Sequence, residues 1–354
     1  MSIADEQRVS ASGATTAQSA SQPDAYSPQV IRKLNDLTSD FYAREAASFS
    51  ATRQAPWHGW EKAWELITAP DAVQDPFPSH AAVRDSLSSH ATRIPDDYAS
   101  NSKDSLAVLD LGCGNLRFER FLAERANAPL RVTALDNCPD LASPEIGALS
   151  AAFPHSLRSS SAASKTKEED ASGQGANPPE KTIVDLRALD IVESLLDGTF
   201  ADRLPRNSHD LAVAFGLMHH LPTFALRARV LEGILGSLRP GVFAVVSFWQ
   251  FLNDPRLAAK AATVTAEGRA AHCLPTFHEN DFLLGWQHAE GVYRFCHHTP
   301  EDEIDALLAA IREPSAPSTS GCTPPAPLPF REIARFSADG KQENLNRYLI
   351  LQRL

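Results

Sequence analysis

The stretch Leu106–Gly114, LAVLDLGCG, constrains this chain more than any other. Apolar, partly β-branched residues run into Asp110, and a Gly-Cys-Gly turn then hands over to an amphipathic segment, Leu116–Arg125. That pattern predicts a buried parallel strand, a tight glycine turn and a helix start. Such a turn lets a ligand approach bare backbone at the carboxyl end of a sheet. Asp110 repels a pyrophosphate, so the turn suits a ligand with a cationic or hydroxyl-rich part.

The segments that follow repeat the alternation of strand and helix. Leu130–Asp136 (LRVTALD), Thr182–Asp190 (TIVDLRALD), His209–Gly216 (HDLAVAFG) and Val242–Phe251 (VFAVVSFWQF) read as strands, the last buried on both faces. Phe224–Leu238 reads as an amphipathic helix stopped by Arg239-Pro240-Gly241. A further helix is expected around Leu257–His272, and an extended segment over Gly291–His298. Thr299-Pro300-Glu301-Asp302 reads as a helix start, with a capping hydroxyl, proline at the first position and acids in the first turn. That helix is expected to run to Ile311. Phe330–Phe336 and Leu345–Leu354 read as a terminal hairpin turning near Ala338-Asp339-Gly340. The sum is an α/β, Rossmann-like, doubly wound sheet of seven strands, mainly parallel, with an antiparallel strand from the C-terminal hairpin.

Around this core the expected division is a disordered tail at 1–27, a helical cap and loop at 28–104, and the core domain at 105–354 with inserts at 155–181, 252–298 and 313–328. The tail is small, polar and aperiodic. Helix spacing of Val30, Ile31, Leu34, Leu37, Phe41 and Tyr42 predicts a helix over Pro28–Ser48, and Glu61–Ile67 a short one. Residues 155–181 are low in complexity and read as a disordered insertion. The five cysteines are widely spaced without a C-x-x-C pair, so neither a metal site nor a disulfide framework is expected. His272, Cys273 and His278 lack metal-ligand spacing as well. No signal peptide or apolar span is evident, which makes a soluble cytoplasmic protein without membrane contact the expectation. The formal net charge of −11 argues against indiscriminate nucleic-acid binding.

Three strand ends carry acids in succession: Asp110 with Gly112 and Gly114, then Asp136, then Asp190. Strand carboxyl ends line one crevice in a doubly wound sheet. An acid at the first turn suits an ammonium, one after the second strand suits two ribose hydroxyls, and one after the third suits an adenine amino group. Together they fit a nucleoside bearing an amino acid, as in S-adenosylmethionine. A dinucleotide fits less well, because G-C-G-N-L-R lacks the third glycine of G-x-G-x-x-G. Taken singly, each acid is also an ordinary strand-end carboxylate.

VLDLGCGN, TALDN, ALD and AFGLMHHL resemble the successive motifs of class I S-adenosylmethionine-dependent methyltransferases over Leu106–Phe251. The resemblance implies that Asp110, Gly112 and Gly114 hold the methionine end, that Asp136, with Asn137 beside it, binds the ribose, that Asp190 meets the adenine, and that Phe215 and Gly216 line the adenosine side. Leu116 departs from it, standing where many relatives carry a further glycine. The flanks are similar to one subfamily, the transfer-RNA methyltransferases that esterify wobble 5-carboxymethyluridine. Phe49, Ser50, Thr52, Arg53, Trp57, His219, His220, Arg294 and His297 fall on its pattern, and Tyr348 and Leu349 match its C-terminal step loosely. The inserts at 70–104 and 155–181 depart from it. The resemblance implies transfer RNA as acceptor and a small activating subunit as partner.

A carboxylate acceptor is already anionic and needs no strong base, so an arginine that orients it is the main requirement. Arg53 and Arg294 are the candidates. Each also has a plainer reading, Arg53 stacked on Trp57 or closing a helix, Arg294 at the surface. Strand alternation places Arg294 and His297 on opposite faces. His220 is a candidate base for a hydroxyl or amine acceptor, while His219 reads as structural. Trp57 and Trp60 read as core, with base stacking as the alternative. Two other functions fit the same core: a small-molecule carboxyl, O- or N-methyltransferase with a closed apolar pocket, and a non-catalytic cofactor-binding regulator whose acceptor side is blocked.

Overall fold

The computed structural model describes residues 26–69, 105–126, 128–142, 157–159, 182–287, 289–313 and 328–354. The tail over 1–25, the loop over 70–104, most of the 155–181 insertion and the loop over 314–327 lie outside the described residues.

In chain order the elements are α1 (Pro28–Ala51), α2 (His58–Thr68), β1 (Leu106–Leu111), α3 (Arg117–Arg125), β2 (Leu130–Asp136), β3 (Leu157–Ser159), β4 (Ile183–Ala188), α4 (Ile191–Leu196), α5 (Phe200–Arg203), β5 (His209–Ala214), α6 (Phe224–Ser237), β6 (Leu238–Trp249), α7 (Pro255–Ala271), β7 (Asp281–Leu284), β8 (Arg294–His297), α8 (Glu301–Arg312), β9 (Phe330–Ala338) and β10 (Asn346–Arg353). The main sheet runs β3-β4-β2-β1-β5-β6-β10-β9. All neighbours from β3 to β6 are parallel, and β10 pairs antiparallel with both β6 and β9. This is the expected Rossmann-like sheet with one strand more than the seven foreseen. The extra strand is β3, a three-residue edge strand inside the segment read as a disordered insertion.

Strand alternation splits the core in two. Leu109 and Leu111 of β1 point to the face covered by α1, α4, α6 and α8, while Leu106 and Val108 point to the face covered by α2 and α3. Every residue of β1 and β5 is buried, because both lie in the middle of the sheet with helices on both sides. In β6 the run Phe243–Phe248 is buried throughout.

Four local expectations need correction. The breaker Arg239-Pro240-Gly241 does not stop a helix; α6 ends at Ser237, and the breaker lies inside β6. Leu238 already pairs with His209, and the ladder skips to Leu211↔Phe243, so the proline sits at an irregularity where no ladder hydrogen bond is needed. Thr299 does not cap α8: Pro300 is the N-cap residue, and the Thr299 hydroxyl is buried with no partner among the described residues. Tyr26 and Ser27 do not belong to a disordered tail. Tyr26 is buried and its hydroxyl donates to Asp281 Oδ2 at 2.8 Å, and Ser27 caps α1. Finally, α1 continues three residues beyond Ser48, to Ala51.

Gly59 and the hairpin turn fix α2. Asp339 Oδ2 accepts the Tyr348 hydroxyl at 2.6 Å and Asn346 Nδ2 at 2.8 Å, and its Oδ1 accepts the Gly59 N–H at 3.1 Å. A Cβ at Gly59 would stand 2.1 Å from the Tyr348 ring, so only glycine allows this approach. No described helix is long and apolar enough to cross a membrane.

Candidate active site

The crevice opens where the strand order reverses, at the carboxyl ends of β1, β2 and β4 on one side and β5 on the other. After β1, Gly112 (φ 74°) and Gly114 (φ 56°) take left-handed conformations, and the Gly112 N–H donates to Leu135 O at 2.8 Å. A Cβ on Gly114 would meet nothing within 4 Å, so this turn presents bare backbone to open space. Leu116 is also left-handed, at φ 57°, and fully buried at the head of α3. The departure from glycine noted in the sequence therefore falls where the backbone favours glycine most, and the buried side chain holds it there.

All eight residues expected to contact the cofactor line one cavity: Asp110, Gly112, Gly114, Asp136, Asn137, Asp190, Phe215 and Gly216. Asp136 is organised by the turn itself. Its Oδ2 accepts the Gly114 N–H at 2.9 Å and its Oδ1 the Cys138 N–H at 2.7 Å, leaving other lone pairs for a diol. Burial raises its pKa, against the pull of those N–H groups. Asp190 is more committed than expected. Its Oδ1 caps α4 through the Glu193 N–H, and its Oδ2 accepts Asn35 Nδ2 at 2.8 Å. Asn137 Nδ2 donates to Ser39 Oγ at 2.8 Å. Phe215 packs on Trp60 and Phe118, with ring centroids 5.4 and 4.8 Å away.

Helix α1 roofs this cavity. Besides Asn35 and Ser39, Arg32 reaches Glu193 through two nitrogens, and Ser50 Oγ donates to Leu141 O. The same helix holds β8: Thr38 Oγ1 accepts the Phe295 N–H at 3.0 Å, and Ser48 Oγ accepts Trp286 Nε1 at 2.7 Å. The roof thus places Arg294, from a distant part of the chain, beside α1.

A second hollow of about 700 Å³ adjoins the first. Tyr42, Phe49, Arg53, Trp57, Arg117 and Gly216 line both. Arg53 lies over the Phe49 ring at 3.9 Å and near Trp286 at 4.8 Å, so its stacking partner is not Trp57. Arg117 takes that place, 5.1 Å from Trp57 and 4.8 Å from Trp60. Arg294 is 5% exposed and no surface residue. It sits 4.4 Å from Phe41, with Phe49, Trp249 and Trp286 within 5.8 Å. Its Nε and Nη1 have no hydrogen-bond partner among the described residues. Neither Arg53 nor Arg294 forms an ion pair with a carboxylate among the described residues. Burial, with Arg294 adding to it, lowers the Arg53 pKa to about 10.

His220 lines the first cavity, but its chemistry differs from the base considered above. Nδ1 lies 2.7 Å from Phe295 O and must donate to it, so Nε2 accepts the Tyr42 hydroxyl at 2.9 Å. Burial and Arg294 hold its pKa down to about 3, which makes it a poor proton acceptor. His219 packs between His220 and Trp249 and is buried, as a structural residue would be. His297 lies elsewhere and corrects its placement among catalytic residues. Asp281 Oδ1 takes its Nδ1 at 2.6 Å and Glu303 Oε2 its Nε2 at 2.7 Å, so neither nitrogen remains for a substrate. It faces away from Arg294, as strand alternation requires. Trp60 is buried core, whereas Trp57 borders both hollows.

His219, His220 and Cys296 bring ligand atoms within 4.8 Å of one another. Both nitrogens of His220 are already committed, and three guanidiniums with no ion pair among the described residues, those of Arg53, Arg117 and Arg294, line the hollow. This wall suits an anion better than a dication.

Tyr42, Glu119 and Trp286 escaped the sequence reading. Glu119 carried a signal: it stands three residues from both Leu116 and Leu122, on the apolar face of α3, and is 1% exposed. Trp286 carried none, since its place depends on Ser48.

No protein-family model matches the chain, and no curated protein does. Among solved structures, it is similar to an S-adenosylmethionine-dependent methyltransferase from Methanosarcina mazei, with 15% identity over 71% of this chain and 93% of that one and a TM-score of 0.42. It is similar to DhpI in complex with SAM and HEP, with 14% identity over 93% and 100% of the two chains and a TM-score of 0.44. It is also similar to the 1,6-didemethyltoxoflavin-N1-methyltransferase of Burkholderia thailandensis bound to 1,6-didemethyltoxoflavin and S-adenosylhomocysteine, with 14% identity over 84% and 92% and a TM-score of 0.39.

Proposed function

We propose that this protein is an S-adenosylmethionine-dependent methyltransferase whose acceptor is a carboxylate. The observation that carries this reading is the junction of the two hollows. One side gathers Asp110, Asp136 and Asp190 around a bare glycine turn, in the order an amino-acid-bearing nucleoside requires. The other side holds Arg53 and Arg294 in an aromatic cage, with no carboxylate of their own among the described residues. The cofactor supplies an activated methyl group when bound. Asp110 would meet its ammonium, Asp136 its ribose, and Asp190 with Asn35 its adenine.

A buried guanidinium with unfilled donors favours an anion that enters in its plane. Arg294 would orient the acceptor carboxylate, and Arg53, at the border, would steer it towards the cofactor. Such an acceptor needs no deprotonation, which agrees with a His220 held neutral and hydrogen-bonded on both sides. A hydroxyl or amine acceptor would need a base that this wall does not offer. The aromatic rings packed around Arg294 lower the local polarity and would strengthen its ion pair with a carboxylate.

The particular carboxylate we propose is that of a wobble 5-carboxymethyluridine in transfer RNA, cytoplasmic and served by a small activating subunit. It rests on the flanking motifs around Arg53 and Arg294, and the hollow has room for a nucleobase beside Trp57. The net charge of −11 favours a second reading, a small-molecule carboxylate. Calorimetry with S-adenosylmethionine tests the cofactor; absence of binding, with no effect of Asp136→Ala, overturns the methyltransferase reading. Mass spectrometry of transfer-RNA nucleosides from a deletion strain tests the acceptor. Loss of the methyl ester supports the RNA reading, and an unchanged profile leaves the small carboxylate.

A further inference from the structure

We infer that Asp110 and Glu119 form a proton-sharing carboxyl pair beneath the glycine turn, and that a ligand bearing an α-ammonium expels this proton as it binds. The inference rests on the proposed reading of the first cavity as the cofactor site, and it adds a proton to that binding reaction.

The two acids come from adjoining elements, Asp110 from β1 and Glu119 from α3, and are 2% and 1% exposed. Asp110 Oδ1 and both Glu119 oxygens are buried with no N–H or O–H donor among the described residues. Two carboxylates cannot bond to one another, but a carboxyl and a carboxylate can. A shared proton is the partner left to them, and it also removes the repulsion of two buried anions. Burial comes first and the neighbouring acid second in raising the Asp110 carboxyl far above the usual range, and burial raises Glu119 as well.

The groups that face the pair deepen the effect. From β2 comes Asp136, a third acid, whose oxygens already accept the Gly114 and Cys138 N–H groups. From the turn comes the Cys113 thiol, its own pKa raised by burial and by these acids. The Arg117 guanidinium on α3 donates through Nη1 to Ala55 O and lies over the faces of Trp57 and Trp60, its Nε bonded to no described residue. No described basic side chain hydrogen-bonds either acid. Asp110 also lines the cavity, whereas Glu119 stands behind it. An incoming ammonium would donate its N–H to Asp110 and supply the missing positive charge. The pair then holds two negative charges against one cation beside it, and the proton is released to solvent. One carboxyl O–H bond of the pair breaks and its proton passes to water for each ammonium bound; the ligand's own bonds are unchanged.

The test is calorimetry of the full chain with S-adenosylhomocysteine at pH 6.5, where its amine is already charged. The titration is repeated in buffers of different ionisation enthalpy. The expected result is an observed enthalpy that varies linearly with the buffer's, with a slope approaching about one proton released. 5′-Methylthioadenosine, which lacks the ammonium, should give a slope near zero, and Glu119→Gln should remove the slope for S-adenosylhomocysteine. Should that variant fail to fold, the wild type suffices. Its affinity for S-adenosylhomocysteine should fall between pH 8 and pH 6, by up to about tenfold per unit, while that for methylthioadenosine stays level. Binding with the same enthalpy in every buffer, or a slope that survives Glu119→Gln, overturns the inference and leaves the cofactor reading standing. Absence of binding to either ligand overturns both.

Discussion

Replacing Arg294 by methionine should make this protein more stable and less active at once. The guanidinium is 5% exposed, has no carboxylate partner among the described residues, and leaves Nε and Nη1 without acceptors. Each buried donor left unsatisfied costs about 1–3 kcal/mol. Against this stand the aromatic contacts with Phe41, Phe49, Trp249 and Trp286, worth about 2 kcal/mol in a desolvated cage. Arg294 also sits beside the Cys296 thiol, a weak acceptor. Methionine keeps most of the stem volume and its sulfur suits aromatic neighbours. The balance is a gain of about 1–3 kcal/mol, read as a higher urea midpoint with an unchanged slope. Losing the charge that meets the acceptor should cost about 2–5 kcal/mol of transition-state binding, a fall in kcat/KM of at least about thirtyfold. Binding of S-adenosylmethionine should stay the same, since Arg294 does not line the first cavity. A variant with lower stability would mean that the guanidinium is satisfied in the apo protein. One with full methyl transfer would show that the acceptor's charge is met elsewhere.

Acid should destabilise the protein through its histidines before its carboxylates. His220 is held down to about 3, and His209 and His298 to about 4, in each case first by burial. Their folded pKa values lie below the unfolded one of about 6.5, so the stability they contribute is complete above that value and falls as pH drops towards 4. For one such histidine the loss by pH 5 is about 2 kcal/mol, and urea titrations at pH 7 and pH 5 should show it; His220→Gln should lessen the difference. Leu116→Gly should relieve about 1–2 kcal/mol of left-handed strain but forfeit a fully buried leucine worth about 2–5 kcal/mol, giving a lower urea midpoint. A midpoint that rises would mean the backbone strain outweighs the packing. Gly59→Ala puts a methyl 2.1 Å from the Tyr348 ring and should cost about 1–3 kcal/mol of stability, read as a lower urea midpoint, most of which Tyr348→Leu in the same chain should return.

The apolar run of Leu106–Leu111 and the apolar pattern of Leu130–Leu135, with breakers between, are enough to specify a parallel sheet, because pattern and turn chemistry are local properties. The three strand-end acids were legible for the same reason: parallel strands point their carboxyl ends to one side, so residues far apart in the chain must share a crevice. Helix starts were less certain. Thr299-Pro300 looks like a cap in isolation, yet Pro300 takes the N-cap place once Gln250 binds Thr299 O. No local pattern could show that Arg294 is buried while His297 is locked between Asp281 and Glu303, since those partners come from β7 and α8. Nor could it show that the Phe295 carbonyl fixes the tautomer of His220, or that Glu119 lies beside Asp110. The Gly-Cys-Gly turn and its acids were set by sequence alone. The charges that surround them, and with them the chemistry the acceptor must bring, were decided when α1 closed over the sheet and drew β8 against it.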